Sequence, residues 1–259
     1  MEQNKQAAIV TGAAGGIGSA VVNRLSAAGM RVLMVDADPD HLRQAAAGFP
    51  ADQVVPFVAD VTDAAAVQAA SDHAMAAFGR IDVLVNVAGG AGPIRVHEIE
   101  NIEIDTWNHV FDLNVTSVFL FCRAVMPAMR RQGFGRIVNF SSILAYGEKG
   151  PPTTVAARLP YATVKAALLG FTSQLAKDVA ADGITVNALV PGLILGEKGT
   201  RIRERFEALS EDQRAGMLAG YPIARAGEAD EVAAAVEFLV SKSAGYISGV
   251  ALPVDGAYH

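Results

Sequence analysis

Thr11-Gly-Ala-Ala-Gly-Gly-Ile-Gly18 decides the fold. It follows the apolar run Ala7 to Val10 and leads directly into the alanine- and valine-rich stretch Gly16 to Ala28, so it reads as strand, glycine turn and helix in succession. Glycines at such a turn let the backbone approach a pyrophosphate, whose charge the amides of the first helical turn receive. A nucleotide is therefore expected on this loop, against the plainer reading of a glycine-rich turn without a ligand.

Outward from that loop, short β-branched runs alternate with longer alanine-rich stretches. Ala7 to Val10, Val32 to Asp36, Val54 to Val58, Ile81 to Asn86, Arg136 to Phe140, Ile184 to Leu189 and Ala251 to Val254 read as strands. Gly16 to Ala28, Asp40 to Ala47, Ala64 to Phe78, Asn108 to Arg131, Tyr161 to Ala181 and Ala229 to Val240 read as helices. Strict alternation implies parallel strands joined by right-handed crossovers. The expected fold is a Rossmann-type α/β arrangement, a doubly wound parallel sheet of about seven strands with helices on both faces and ligands beyond the carboxyl ends of the strands. No repeat or linker divides the chain, which is expected to form one domain over residues 1–259. The charge-dense break Gly196 to Gly227 reads as the body of a substrate lid at about 193–227.

Composition narrows the partners. With 51% hydrophobic and 19% charged residues the 259-residue chain has ample apolar surface for a core. A net charge of −6 and a pI near 5.4, with no basic tail or stripe, argue against nucleic acid and membrane surfaces and for a small-molecule substrate. Mean hydropathy is +0.29, yet no unbroken apolar run approaches the roughly 18 residues of a membrane span. The polar start Met-Glu-Gln-Asn-Lys-Gln does not read as a signal peptide, and a single cysteine, Cys122, makes no intrachain disulfide; both fit a cytoplasmic protein. Cys122 sits in an apolar helical run and reads as packing. The histidines at 41, 73, 97, 109 and 259 lack the spacing of a metal site, so no metal is expected.

Asp36 ends the second strand, 18 residues past Gly18, where a carboxylate accepts from both hydroxyls of an adenosine ribose and repels a 2′-phosphate. Ala13, Ala14 and Ala37 bring no cation to offset that repulsion, so NAD is favoured over NADP; Arg43 is the nearby charge that argues otherwise. Asp60-Val61 follows the third strand, where Asp60 reaches an adenine amino group or caps the next helix. Tyr161 and Lys165, four positions apart in a helical stretch, present a phenol and an ammonium on one face. A fixed ammonium favours the phenolate, and moving a phenol from a pKa of about 10 by ~3 units towards neutrality needs about 4 kcal/mol.

Six stretches in order carry a family resemblance. Thr11-Gly-x-x-x-Gly-Ile-Gly18, Asn86-Val-Ala-Gly89, Asn114, the Ser142 that ends Gly135-Arg-Ile-Val-Asn-Phe-Ser-Ser, Tyr161-x-x-x-Lys165 and Pro191-Gly192 resemble the compact branch of the short-chain dehydrogenase/reductase family over nearly the whole length. The resemblance implies an NAD-dependent oxidoreductase that moves a hydride between nicotinamide and a secondary alcohol or ketone. Tyr161 would be its general acid/base, worth typically ~10² to 10⁴ in rate. Lys165 would lower the pKa of Tyr161 and hold the nicotinamide ribose, Ser142 would donate to the developing alkoxide, and Asn114 would open its helix and position a proton-relaying water. Gly12, Gly16, Ile17, Gly18, Asp36, Asp60, Val61, Asn86, Ala88, Gly89, Pro191, Gly192 and Ile194 would join Tyr161 and Lys165 around the cofactor. Helices Asn108 to Arg131 and Tyr161 to Ala181 carry apolar residues over more of their circumference than one sheet contact can bury, with Val118, Phe119, Phe121, Leu168, Leu169 and Phe171 as candidates for the exposed faces, and the family resemblance implies a homotetramer in which these two helices pair with symmetry mates.

Departures from the family pattern fall on the substrate side. Val87 replaces a frequent second asparagine. Nineteen positions separate Ser142 from Tyr161, longer than is usual, and the added length holds Gly147-Glu-Lys-Gly-Pro-Pro-Thr-Thr. Gly196 stands where a threonine often follows Pro191-Gly192, and Thr200 comes later. In the lid, Glu197 with Arg201 and Arg203 with Glu207 read as i,i+4 pairs on a solvated helix, or an arginine there captures a substrate anion. A 3-oxoacyl thioester reductase, acting on acyl carrier protein or CoA substrates, is the main alternative activity; such reductases commonly use NADP and a basic docking surface, for which Arg130 and Arg131 speak and Asp36, Asp178 and Asp182 do not. The extended branch of the family would need a further substrate domain. A dinucleotide-binding regulator without chemistry is the alternative from another class, and the intact Ser142, Tyr161 and Lys165 weigh against it.

Overall fold

The computed structural model describes residues 5–92, 95–148 and 158–259. From the first strand the chain alternates as read: β1 (Ala7–Thr11), α1 (Gly16–Ala27), β2 (Arg31–Asp36), α2 (Pro39–Ala46), β3 (Val54–Val58), α3 (Ala64–Phe78) and β4 (Val83–Asn86). Then come α4 (Ile104–Phe111), α5 (Ser117–Gln132), β5 (Gly135–Phe140), α6 (Arg158–Val179) and β6 (Ile184–Pro191). The remainder holds β7 (Ile194–Leu195), α7 (Arg201–Glu207), α8 (Glu211–Leu218), β8 (Gly227–Glu228), α9 (Ala229–Val240) and β9 (Ala251–Val254).

Seven parallel strands form one sheet in the order β3-β2-β1-β4-β5-β6-β9. The order reverses between β1 and β4, so the loops after those strands diverge and leave a crevice at their carboxyl ends. Alternation along each strand sorts side chains to two cores. Ala7 and Ile9 of β1 join Leu33 and Val35 in the layer beneath α3, α5 and α6, while Ala8 and Val10 join Val32 and Met34 beneath α1, α2 and α9. Burying both faces of a parallel sheet this way supplies most of the driving force for the fold.

The stretch Asn108 to Arg131 is not one uninterrupted α-helix. It starts earlier, at Ile104, and passes through a π turn at Asp112–Thr116 before α5 begins. Over Ile104–Gln132, 29 residues in all, the helical run is long and apolar enough to cross a bilayer by length and composition, contrary to the reading of the bare sequence. Half of its apolar window is buried inside the fold, where Val110, Phe121, Val125 and Met129 are inaccessible.

Three residues expected on exposed faces are in the core instead. Val118, Phe121 and Leu168 are buried because α5 turns positions 118, 121, 122, 125 and 129 to the sheet, a stripe at helical spacing, and Leu168 packs into the same layer. Phe119 does face outward at 46% exposure, and a groove of about 590 Å³ runs beside it between α5 and α6. The charge-dense break is ordered into α7 and α8, which leave and return through a parallel two-stranded ribbon, Ile194 opposite Gly227 and Leu195 opposite Glu228. Glu197 lies before α7 in a turn whose carbonyl caps Thr200, so its expected helical pair with Arg201 does not form; Arg203 and Glu207 do pair, at 3.7 Å.

Candidate active site

Side chains and loops at the carboxyl edge of β1, β4, β5 and β6 build one cleft. At its floor the turn after β1 is closed by its glycines: Gly12 adopts φ +63°, and a Cβ on Gly18 would stand 2.0 Å from the Gly12 carbonyl oxygen. Thr11 draws the neighbouring turn in, its hydroxyl accepting from the Ala88 amide at 3.1 Å. Helix α1 then begins at Gly15 with no side-chain cap and no acidic residue in its first turn. Its first amides are left for an external anion, and a dinucleotide pyrophosphate fits that cradle. Ile17 packs partly into the core beneath it.

Asp36 leans over this loop. One carboxylate oxygen accepts from the Ala14 amide at 3.0 Å and the other from Asp38 at 3.3 Å, which fixes the carboxylate beside the cradle. Arg43, by contrast, pairs with Asp40 on the exposed side of α2 at 3.1 Å. Asp60 is exposed and accepts from the amide and hydroxyl of Thr62, both at 2.8 Å, while Asp63 rather than Asp60 caps α3. Val61 is buried below it.

On the far side of the cleft, Asn114 occupies the π turn and is fully buried. Its amide nitrogen donates to the carbonyls of Val110 and Gly90, both at 2.8 Å, and its oxygen accepts from the Gly90 amide at 3.1 Å. The widened turn lets the Asn114 side chain take the Val110 carbonyl, and the same side chain ties the helix to the loop after β4. Gly89 lies between: a Cβ there would meet the Asn114 oxygen at 2.6 Å and the Lys165 nitrogen at 3.2 Å. Asn86 points inward, donating to Asn139 at 2.9 Å, which donates in turn to Thr172, so its side chain locks β4, β5 and α6 rather than lining the cleft.

Tyr161 and Lys165 rise from α6 opposite the end of β5. The Lys165 ammonium, 3% exposed, donates to the Phe140 carbonyl at 2.8 Å and lies 5.4 Å from the centre of the Tyr161 ring. Burial draws it down to about 7. The Tyr161 hydroxyl is hydrogen-bonded to Ser142; burial pushes it up to about 12, opposed by that bond and by the positive charge of Arg201. Ser142 also accepts from the Leu144 amide at 3.2 Å, and so both ends the strand and faces the phenol. Phenol, hydroxyl and ammonium together can pass a proton to or from an oxygen placed between Tyr161 and Ser142.

Sequence reasoning missed several supports. Ser141 donates to the Lys165 carbonyl at 2.7 Å and pins α6 to β5. Gly192 packs against Tyr221, whose hydroxyl accepts from the Leu193 amide at 3.0 Å and anchors the segment after Pro191. Ile194 is buried in the core and starts the ribbon at β7. Of the insertion after Gly147, residues 149–157 lie outside the described residues.

Fold and cleft together define an α/β oxidoreductase. A family model described as enoyl-(acyl carrier protein) reductase matches residues 12–259. The 3-oxoacyl-(acyl-carrier-protein) reductase FabG of Escherichia coli is 38% identical over 252 residues, 97% of this chain and 96% of the relative. The 2-(R)-hydroxypropyl-CoM dehydrogenase of Xanthobacter autotrophicus is 38% identical over 254 residues, 97% of each chain, and the D-threitol dehydrogenase of Mycolicibacterium smegmatis is 37% identical over 257 residues, 97% of this chain and 92% of the relative. The chain belongs to the short-chain dehydrogenase/reductase family.

A titration tests the electrostatics of the cleft. In ligand-free protein the absorbance difference between wild type and Tyr161→Phe is expected to show this phenol ionising near 12, and oxidised dinucleotide, bringing positive charge, is expected to lower that midpoint. Ionisation below the ordinary value of 10 without cofactor contradicts this upward shift.

Proposed function

We propose that the protein is an NAD-dependent oxidoreductase acting on a secondary alcohol or its ketone, built as one domain over residues 1–259 with residues 193–227 as a lid. The observation that carries the reading is the contact of Tyr161 with Ser142 above a buried Lys165, beside an uncapped glycine cradle. Bound nicotinamide supplies the hydride acceptor or donor. Tyr161 holds the proton exchanged with the substrate oxygen, Ser142 steadies that oxygen, Lys165 turns from the Phe140 carbonyl to the nicotinamide ribose, and Asn114 orders a water behind Lys165. Gly12, Gly16, Ile17 and Gly18 receive the pyrophosphate, Asp60 and Val61 flank the adenine, and the backbone of Asn86, Ala88 and Gly89 with Pro191, Gly192 and Ile194 shapes the nicotinamide end.

Asp36 supports NAD. Its carboxylate stands at the cradle while the nearby Arg43 is engaged with Asp40 on the outer side of α2. A second reading, reduction of a 3-oxoacyl thioester, is favoured by the name of the Escherichia coli relative. Arg130, one of the cations for a carrier-protein surface, is paired with Asp182 at 2.8 Å. The regulator reading has less support, since pure binding needs neither Ser142 nor Tyr161.

Three outcomes are expected. Tyr161→Phe keeps cofactor affinity within a few-fold and lowers turnover by at least ~10², because the ring still packs but carries no proton; full turnover in the folded variant sinks the assignment. Light scattering gives a homotetramer, four times the 27.0 kDa chain mass, with α5 and α6 meeting their symmetry mates along the groove beside Phe119. A monomer at micromolar concentration contradicts that assembly. Asp36→Ala moves the NAD over NADP preference in kcat/KM by on the order of 10² or more, since NAD loses a charge-assisted contact and NADP loses a repulsive neighbour. An unmoved ratio, or a wild type that prefers NADP, places the ribose elsewhere.

A further inference from the structure

A small third core stands behind Ser142. Ile143, the next residue, is buried there with Val190 and Tyr221, and Leu193 and Tyr258 pack against them. Three pieces of chain far apart in sequence therefore share one contact: the 3₁₀ turn Ile143–Tyr146 that Ser142 caps, the return of the excursion holding α7 and α8 at Tyr221, and residues 255–259. The last of these is firmly based. Asp255, 9% exposed, accepts from the amides of Ala257 at 3.1 Å and His259 at 3.2 Å, and Ala257 is held in the left-handed region at φ +64°. An alanine keeps that conformation only where its surroundings impose it.

From this base four rings run in a row. The Tyr258 ring lies 4.7 Å from that of Tyr221 and 5.8 Å from that of His259, and His259 meets Tyr146 at 4.4 Å. The row thus reaches from the excursion's return to the far end of the turn that Ser142 begins. It also reaches the helix of Tyr161. Glu148 holds Arg158, at the head of α6 and three residues before Tyr161, through its carboxylate at 3.7 Å and its carbonyl at 3.5 Å, and the Tyr258 hydroxyl is hydrogen-bonded to the same Glu148 side chain. Ser142 and Tyr161 stand on separate pieces of backbone, so their contact lasts only if the two pieces keep their spacing. We propose that Tyr258 and His259 are positioning residues for the reaction: they brace the turn after Ser142 against Tyr221 and against the head of α6, and so keep the Ser142 hydroxyl on the Tyr161 phenol. The inference rests on the oxidoreductase reading only for the statement that this contact is the reacting one.

Fluorine NMR of protein labelled with 3-fluorotyrosine reads the contact directly. The Tyr161 signal is assigned by its loss in Tyr161→Phe, and Ser142→Ala gives its position when the hydroxyl partner is missing. In Tyr258→Leu the signal is expected to move towards the Ser142→Ala position by about half the distance or more, since the phenol loses the same partner. Tyr258→Phe keeps the ring and is expected to restore most of the wild-type position. NADH affinity, followed by nicotinamide fluorescence, is expected to stay within about threefold in both variants, because the cradle at α1 is untouched. A Tyr161 signal in Tyr258→Leu that coincides with wild type overturns the proposal, and so does a signal that moves no further in Tyr258→Leu than in Tyr258→Phe. Should Tyr258→Leu not fold, His259→Leu, which removes only an exposed ring, decides by the same signal: movement towards the Ser142→Ala position supports the brace, and none overturns it. If neither NADH nor NADPH binds while the signal moves, the oxidoreductase reading falls and the brace stands; binding with an unmoved signal does the reverse.

Discussion

A buried ammonium held by a backbone carbonyl is the constraint on which the cleft depends. Among the described residues Lys165 has the Phe140 oxygen as its hydrogen-bond partner and no carboxylate, so burial is not offset and its pKa falls to about 7. That arrangement requires β5 and α6 to be fixed to one another, which Ser141 does through the Lys165 carbonyl and Asn139 through Thr172. It also requires space above the ammonium, and Gly89 leaves it. Around this one cation the helix bearing Asn114 and the loop after β4 are joined by two hydrogen bonds. The cation is then available to whatever negative or hydroxyl-bearing group enters the cleft.

The layers of the fold were legible because their signals are local. The ends of α3 and α9 coincide with the sequence reading, α3 being capped by Asp63 and stopped by Gly79 at φ +73°, both visible in the chain. The opening of the helix at Asn114 was legible only through the family resemblance, since the bonds from Asn114 to Gly90 join residues 24 apart in sequence and leave no local signal. Short α7 and α8, of seven and eight residues, carry charge on several sides and gave no apolar periodicity to read, only the i,i+4 spacing of charges such as Arg203 and Glu207. Val118, Phe121 and Leu168 were placed outside by counting apolar residues; the stripe that faces the sheet shows why they are inside.

The candidate site divides in the same way. Tyr161, Ser142 and Lys165 come together, since two lie on one helix and the third stands just past the end of the adjacent strand β5. The partners that hold them were hidden: a carbonyl such as that of Phe140 has no signature of its own, and the Ser141 hydroxyl is indistinguishable in sequence from its neighbour. Asn86 turns away from the cleft because its register opposite Asn139 offers a buried amide partner.

The ribbon formed by β7 and β8 has a consequence for how this chain can diversify. It joins the two ends of the excursion holding α7 and α8 with backbone bonds, and Arg203 fastens the interior of the excursion to the same ribbon. Length and composition between those ends can change without altering the spacing of the strands beneath, because closing a longer surface loop costs little once its ends are joined. The segment is therefore an exchangeable cassette, and new substrate preferences can be grafted onto an unaltered nucleotide platform.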